Sequence, residues 1–275
     1  MSQSGSLATA ALLVPPQSAM LVGGQALALW VTALDVPIPA ALSAGVTLDV
    51  DFLGTRDAAE EHHRFLQIAT QRHHLRAEVR FPKPFENTPN SAKITIYRGD
   101  EVEAEIDYLS HIAGYCGREE QSLKDRAIIV EDLYEAGTIL RVMHPFDCLR
   151  SRVHNLYSLP SKRNPIHIAQ AHLAIDVLRA FLVRLTSEPG DAREQLLPVL
   201  EQVISLAAGN AGVAAHNEFG VDVMACIPES GLPDRFHLQR LPQAAAYVKR
   251  RRGGRKGGKR YEVWKDLKPL GNSNA

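Results

Sequence analysis

The clearest alternation along the chain is VTLDVDFL, residues 46–53. Leu48, Val50 and Phe52 share one parity, while Thr47, Asp49 and Asp51 share the other. Strict period-two patterning predicts a strand with one face in a core and a polar face opposite. The pattern returns in SAKITIY and VEAEIDYL, which flank RGDE and its Gly99 and so predict a hairpin. In its second arm Val102, Ala104, Ile106 and Tyr108 face one way, and Glu103, Glu105 and Asp107 the other.

Helical spacing accounts for most of the rest. GSLATAALLV near the N-terminus predicts a short helix, and SAMLV leads as a strand or helix end into Gly23–Gly24. QALALWVTAL then predicts a helix, and the prolines and glycine between Leu34 and Gly45 predict a loop. RDAAEEHHRFLQIATQRHH reads as an amphipathic helix with Asp57 as a cap and Phe65, Ile68 and Ala69 as its apolar stripe. Short strands and a helix starting near Pro145 follow. From Asn164 the chain turns helical in PIHIAQAHLAIDVLRAFLVRL, DAREQLLPVLEQVISLAA and DRFHLQRLPQAAAYVKRR. Strands in front and helices behind imply an α+β chain. The expected division is a catalytic domain over 1–160, a helical domain over 161–248 and a basic tail over 249–275.

Composition changes this picture in one respect. The 31 Lys and Arg balance the 31 Asp and Glu, yet residues 249–260, KRRRGGRKGGKR, hold eight basic residues and no acid. Removing those eight leaves 23 basic against 31 acidic residues, so an acidic body carries a basic segment. Such a segment is expected to draw in RNA through phosphate contacts, with Tyr261 and Trp264 available to stack on bases. A solvated linker and a tail folded back on the body are the other readings. The three scattered cysteines argue against a disulfide framework, and the N-terminal stretch lacks the basic start of a secretory signal, so a reducing cytoplasm is the expected location. No Walker loop or G-x-S-x-G occurs. The pairs His62–His63 and His73–His74 lack the spacing of a zinc helix and are expected on a solvated surface.

The acids carry the candidate chemistry. Asp49 and Asp51, two apart on a strand, point to one side, and hard carboxylate oxygens suit Mg²⁺. Asp107 or Glu105, on a neighbouring strand, has the parity of a third ligand. Glycines entering a helix let a phosphate approach backbone amides at the positive end of the helix dipole.

The order Val22-Gly23-Gly24, helix, Asp49-x-Asp51, then a carboxylate strand resembles the nucleotidyltransferase superfamily that includes DNA polymerase β. The blocks LVGGQALALW, VTLDVDF, EIDYL and VMHPFDCLRSRVHNLYSLPSKR, across roughly residues 20–185, resemble more closely the AbiEii-type nucleotidyltransferases, toxins of bacterial toxin–antitoxin pairs. The resemblance implies a minimal polymerase-β-like mixed sheet followed by an all-α half. It also implies NTP and Mg²⁺, with Asp49, Asp51 and Asp107 as metal-binding and catalytic groups. Gly23, Gly24, Lys162 and Arg163 would bind the nucleotide, and Asp176 would match a last acidic motif. An RNA acceptor, such as a tRNA end, and an antitoxin partner follow from the same likeness. A glycine here replaces the serine of many members, and the interval from Gly24 to Asp49 is longer than usual. The rivals are an enzyme that nucleotidylates a protein or a small molecule such as an aminoglycoside, and a nucleotide-binding protein without turnover.

Overall fold

A computed structural model of the chain describes residues 16–42, 50–71, 74–131, 139–187 and 191–253. The helix expected at 5–14, Asp49, His73, and residues 254–275 of the tail with Tyr261 and Trp264 lie outside the described residues. The fold is α+β, with a mixed sheet and a helical C-terminal half. By compactness the chain divides into two units, Met1–Ala28 with Thr47–His144, and Leu29–Val46 with Pro145–Ala275.

The first unit holds the strands β1 (Met20–Val22), β2 (Val50–Leu53), β3 (Arg76–Arg80), β4 (Asn90–Arg98), β5 (Glu101–Leu109), β6 (Ile128–Glu131) and β7 (Ile139–Val142). They form one seven-stranded sheet in the order β3-β4-β5-β2-β1-β7-β6. β2 lies parallel to β5 and β1 parallel to β7, while the other neighbours are antiparallel. Helix α1 (Gly23–Ala33) follows β1 without a spacer, so it starts at the glycine pair and not after Gly24 as expected. The hairpin β4–β5 turns at Gly99, whose φ of +63° suits a residue without Cβ. The pattern of the sequence did not single out β3 or helix α3 (Arg118–Asp125).

One face of the sheet is a core. Phe52, Ala92, Ile94, Ile96, Ile106 and Tyr108 are buried, and helix α2 (Arg56–Gln71) packs over β3 and β4. The rotation of α2 departs from expectation. Phe65 and Ile68, expected as its apolar stripe, are 44% and 67% exposed, while Ala58, Ala59, His62, Leu66 and Thr70 turn inward. His62, expected on a solvated surface, is fully buried. Its Nδ1 meets the Tyr108 hydroxyl at 2.8 Å, and its ring stands edge-on to Phe52 and Tyr108. The tyrosine needs a polar partner when buried, and His62 supplies it where an aliphatic residue could not.

The second unit is helical. It is built from the end of α1, α4 (Pro145–Ser158), α5 (Pro165–Ser187), α6 (Asp191–Ala208), α7 (Asn210–Phe219) and α8 (Leu241–Gly253). The helix expected near Pro145 starts at that residue. Asn164 caps α5, its Oδ1 accepting from the His167 amide at 3.1 Å. By length and composition α5 could cross a membrane, but Leu173, Ala174, Val177, Leu178 and Leu182 have no exposed surface and it packs against α4 and α6. The start of the basic run belongs to α8. There Arg252 pairs with Asp222 at 2.6 Å, and Arg251 donates to the Ala208 carbonyl at the end of α6.

Burial holds the His62 pKa down at about 4, with the neighbouring His63 charge adding to the effect. The unfolded chain therefore takes up a proton near pH 6.5 that the folded one refuses. The stabilisation is complete above that pH and is lost as pH falls toward 4. Urea unfolding should lose about 2 kcal/mol between pH 7 and pH 5 from this group alone. His167, also lowered to about 4 by burial and then by Lys162 and Arg152, adds in the same direction. In His62→Leu the pH dependence should shrink; an unchanged slope would show that His62 protonates freely in the folded state.

Candidate functional site

The polar face of the sheet opposite the α2 core carries the acids. β2 and β5 pair so that Asp51 stands against Asp107, and β1 and β2 pair so that Val22 stands against Asp51. β4 adds Lys93 against Asp107, and β3 adds Arg80 against Lys93. One row of the sheet thus reads Val22, Asp51, Asp107, Lys93, Arg80. Neighbouring strands lie about 4.8 Å apart, which brings the two carboxylates within the span of a single divalent ion. Both aspartates are half-buried.

Gly23 closes one side of this arrangement. Its φ is +65°, and its bare Cα faces the Asp51 carboxylate so closely that a Cβ would overlap it. The first glycine of the pair is therefore needed twice, for a left-handed backbone and for the approach of Asp51. Gly24 is buried in the first turn of α1, where amides have no acceptor one turn earlier and must find one outside the helix.

Asp107 and Glu105 have the same parity but different partners. Asn90 Nδ2 donates to Asp107 Oδ1 at 2.8 Å, whereas Glu105 Oε1 lies 2.9 Å from Lys93 Nζ. Asn90 was not foreseen from the sequence, and a β-bulge is the reason. Along β4 its number has the parity of Ala92 and Ile94, which face the core. The register slips by one between Asn90 and Ala92, leaving Ser91 as the extra residue and setting Asn90 against Leu109 on the Asp107 side. Ser91 Oγ donates to the Gly54 carbonyl at 2.8 Å and pins the slip in place.

The donor set fits magnesium. Opposed like charges on paired strands cost stability, and a divalent cation bound by hard oxygens removes that cost. Among the described residues no group of three His, Cys, Asp or Glu converges on one point. Asp51 and Asp107 form a pair, and Asp49 lies outside the described residues.

The other residues implied by the family resemblance belong to the helical unit. Lys162 ends a short 3-10 turn, Pro160–Lys162, and Arg152 lies near enough for both charges to bear on His167. Arg163 is used structurally. Its guanidinium donates to the Leu156 and Tyr157 carbonyls at 2.9 and 2.6 Å and so caps the end of α4. Asp176, raised by burial, lies 3.7 Å from Arg179 on the same helix.

No protein-family model matches the sequence, and no curated protein matches it. Among solved structures the chain is similar to the crystal structure of the Megavirus polyadenylate synthase, with 10% identity and a TM-score of 0.36. The match covers 69% of this chain and 35% of that one, so the chain corresponds to about a third of that protein's length.

Replacing Gly23 with Ala should destabilise the protein by about 1–3 kcal/mol through the strained φ, and should also displace the Asp51 carboxylate. Thermal unfolding with and without Mg²⁺ tests both effects. The variant should melt earlier and lose any magnesium-dependent rise in Tm. A variant that melts like the wild type would show that the chain relaxes around an added Cβ.

Proposed function

We propose that the protein is a magnesium-dependent nucleotidyltransferase that moves an NMP from an NTP to an acceptor hydroxyl and releases pyrophosphate. The observation that carries this reading is Asp51 paired in register with Asp107 on parallel neighbours, with Gly23 at a helix start pressed against the Asp51 carboxylate. Asp51 and Asp107, with Asp49 from the same strand motif, would hold Mg²⁺. When bound, the ion steadies the developing charge on the triphosphate and lowers the pKa of the attacking hydroxyl.

The chain's own contributions are positional. The Gly23–Gly24 turn offers room and first-turn amides to phosphate oxygens. Asn90 holds one oxygen of Asp107, which fixes the direction of the other. Lys93 pairs with Glu105 and stands in register with Asp107, and the pairing of Asp107 with Asp51 favours it as the third carboxylate. Lys162, by resemblance, would meet the leaving pyrophosphate, while Arg163 has the structural task of capping α4. An RNA acceptor, a toxin role with an antitoxin partner, and a cytoplasmic setting belong to the same proposal. The small-molecule acceptor remains the rival within the class.

Purified protein incubated with each labelled NTP, Mg²⁺ and total cellular RNA tests the reading, with an aminoglycoside as a parallel acceptor. Label should move to one acceptor class, and Asp51→Asn or Asp107→Asn should lower the rate at least about a hundredfold, as expected when a metal clamp on the transferred group is lost. Equal labelling by wild type and both variants would overturn the assignment of these carboxylates. Binding of NTP and Mg²⁺ without transfer to any acceptor would leave a nucleotide-binding protein.

A further inference from the structure

The loop joining β3 to β4, residues 81–89, ends at the candidate site on both sides. Arg80, just before it, stands in the row of Lys93, Asp107 and Asp51, and Asn90, just after it, holds Asp107. Its sequence, FPKPFENTP, has three prolines, which limit its conformations. At its tip Phe85 is wholly exposed, with a φ of +69°. A large aromatic residue rarely adopts that backbone.

The strain is held by a brace. Arg80 donates to Glu86 Oε1 at 2.7 Å, the Lys83 amide donates to Glu86 Oε2 at 3.0 Å, and the Glu86 amide donates to the Lys83 carbonyl at 3.0 Å. The chain of bonds continues toward the site. The Thr88 amide donates to the Glu86 carbonyl, the Asn90 amide to Thr88 Oγ1, and the Asn90 side chain to Asp107. At the same end of β5 the Ser110 amide and hydroxyl both donate to the Pro89 carbonyl. An exposed ring is therefore held out by a braced turn whose base, Arg80, lies about two strand spacings, or ~10 Å, from Asp107 along the sheet row. Phe81, within the loop, carries the Arg56 guanidinium 4.0 Å above its ring; Arg56 and Arg80 are paired with Glu60 and Glu86, and Lys83 adds exposed positive charge.

We infer that this loop is the acceptor platform, with Phe85 stacking on a nucleobase of a single-stranded nucleic acid whose terminal hydroxyl is presented toward Asp107. The inference rests on the nucleotidyltransferase reading for the direction of the hydroxyl, but not for the binding itself. A ring with a free face takes any base, which suits an acceptor end. Lys83, exposed two residues from the ring, suits a phosphate of the same strand. A compact cationic acceptor such as an aminoglycoside has no aromatic face to stack and would meet the Lys83 charge.

The test is equilibrium binding of fluorescein-labelled single-stranded RNA, and of DNA of the same sequence, to the full chain by anisotropy, without NTP. Phe85 touches little of the fold, so Phe85→Ala should melt as the wild type does. It should bind the oligonucleotide about tenfold more weakly, and Phe85→Trp should retain binding. Affinity for an NTP with Mg²⁺, measured separately, should be unchanged in both variants. Oligonucleotide binding that is absent, or equal in wild type and Phe85→Ala, overturns the platform. A weakened NTP affinity with unaltered oligonucleotide binding overturns it too, because the ring would then serve the donor nucleotide. RNA and DNA affected alike identify stacking on the base, and a loss confined to RNA adds contact with the 2′-hydroxyl; both support the platform. Failure of NMP transfer with Phe85-dependent binding intact would sink the enzymatic reading and leave the platform standing.

Discussion

The parallel pairing of Val50–Leu53 with the end of Glu101–Leu109 is the constraint on which the site depends. It sets Phe52 against Tyr108 on one face and Asp51 against Asp107 on the other. The apolar face gains by burial under α2, and that gain holds two carboxylates together against their repulsion. A slip of one residue in β2 would turn Asp51 into the core and Phe52 into water. Core and candidate site are thus two faces of one register.

The neighbouring strands extend this logic. β1 ends at Val22 beside Asp51, and the chain turns at once into α1 because Gly23 adopts a backbone that other residues resist. On the far side β4 brings Lys93 and Asn90 to the acids. The lysine pairs with Glu105 and stands in register with Asp107, which also accepts from the Asn90 side-chain amide. Two carboxylates of equal parity thereby acquire different environments. The helical unit has its own economy. Arg163, Arg251 and Arg252 close helix ends or pair with Asp222, so several cations conspicuous in the sequence are occupied by architecture.

Much of this was legible beforehand. The alternation in VEAEIDYL gave the outward face of Glu105 and Asp107, though Val102, expected with the core residues, is exposed beyond the bulge at Glu103. The glycine pair marked the strand-to-helix turn. One conflict in the same pattern could have revealed more. The apolar positions of β4 and β5 are all even-numbered, yet a two-residue turn after Arg98 pairs even with odd. Only a bulge reconciles them, and the structure has one between Ile96 and Tyr97, with Glu103 as the extra residue. The second bulge, at Ser91, left no such trace.

By itself the sequence determined the α+β order, the outward face of the acids and the place of the helix start. Those follow from side-chain period and from glycine's backbone freedom, which are local properties. Only the tertiary structure decided that Asp107 stands opposite Asp51 and that Asn90 turns to meet it, because strand order and register are set by contacts between distant segments. The same holds for α2. Periodicity pointed to the stripe of Phe65, Ile68 and Ala69, whereas the Tyr108 hydroxyl beneath the helix meets His62 and leaves Phe65 and Ile68 outside.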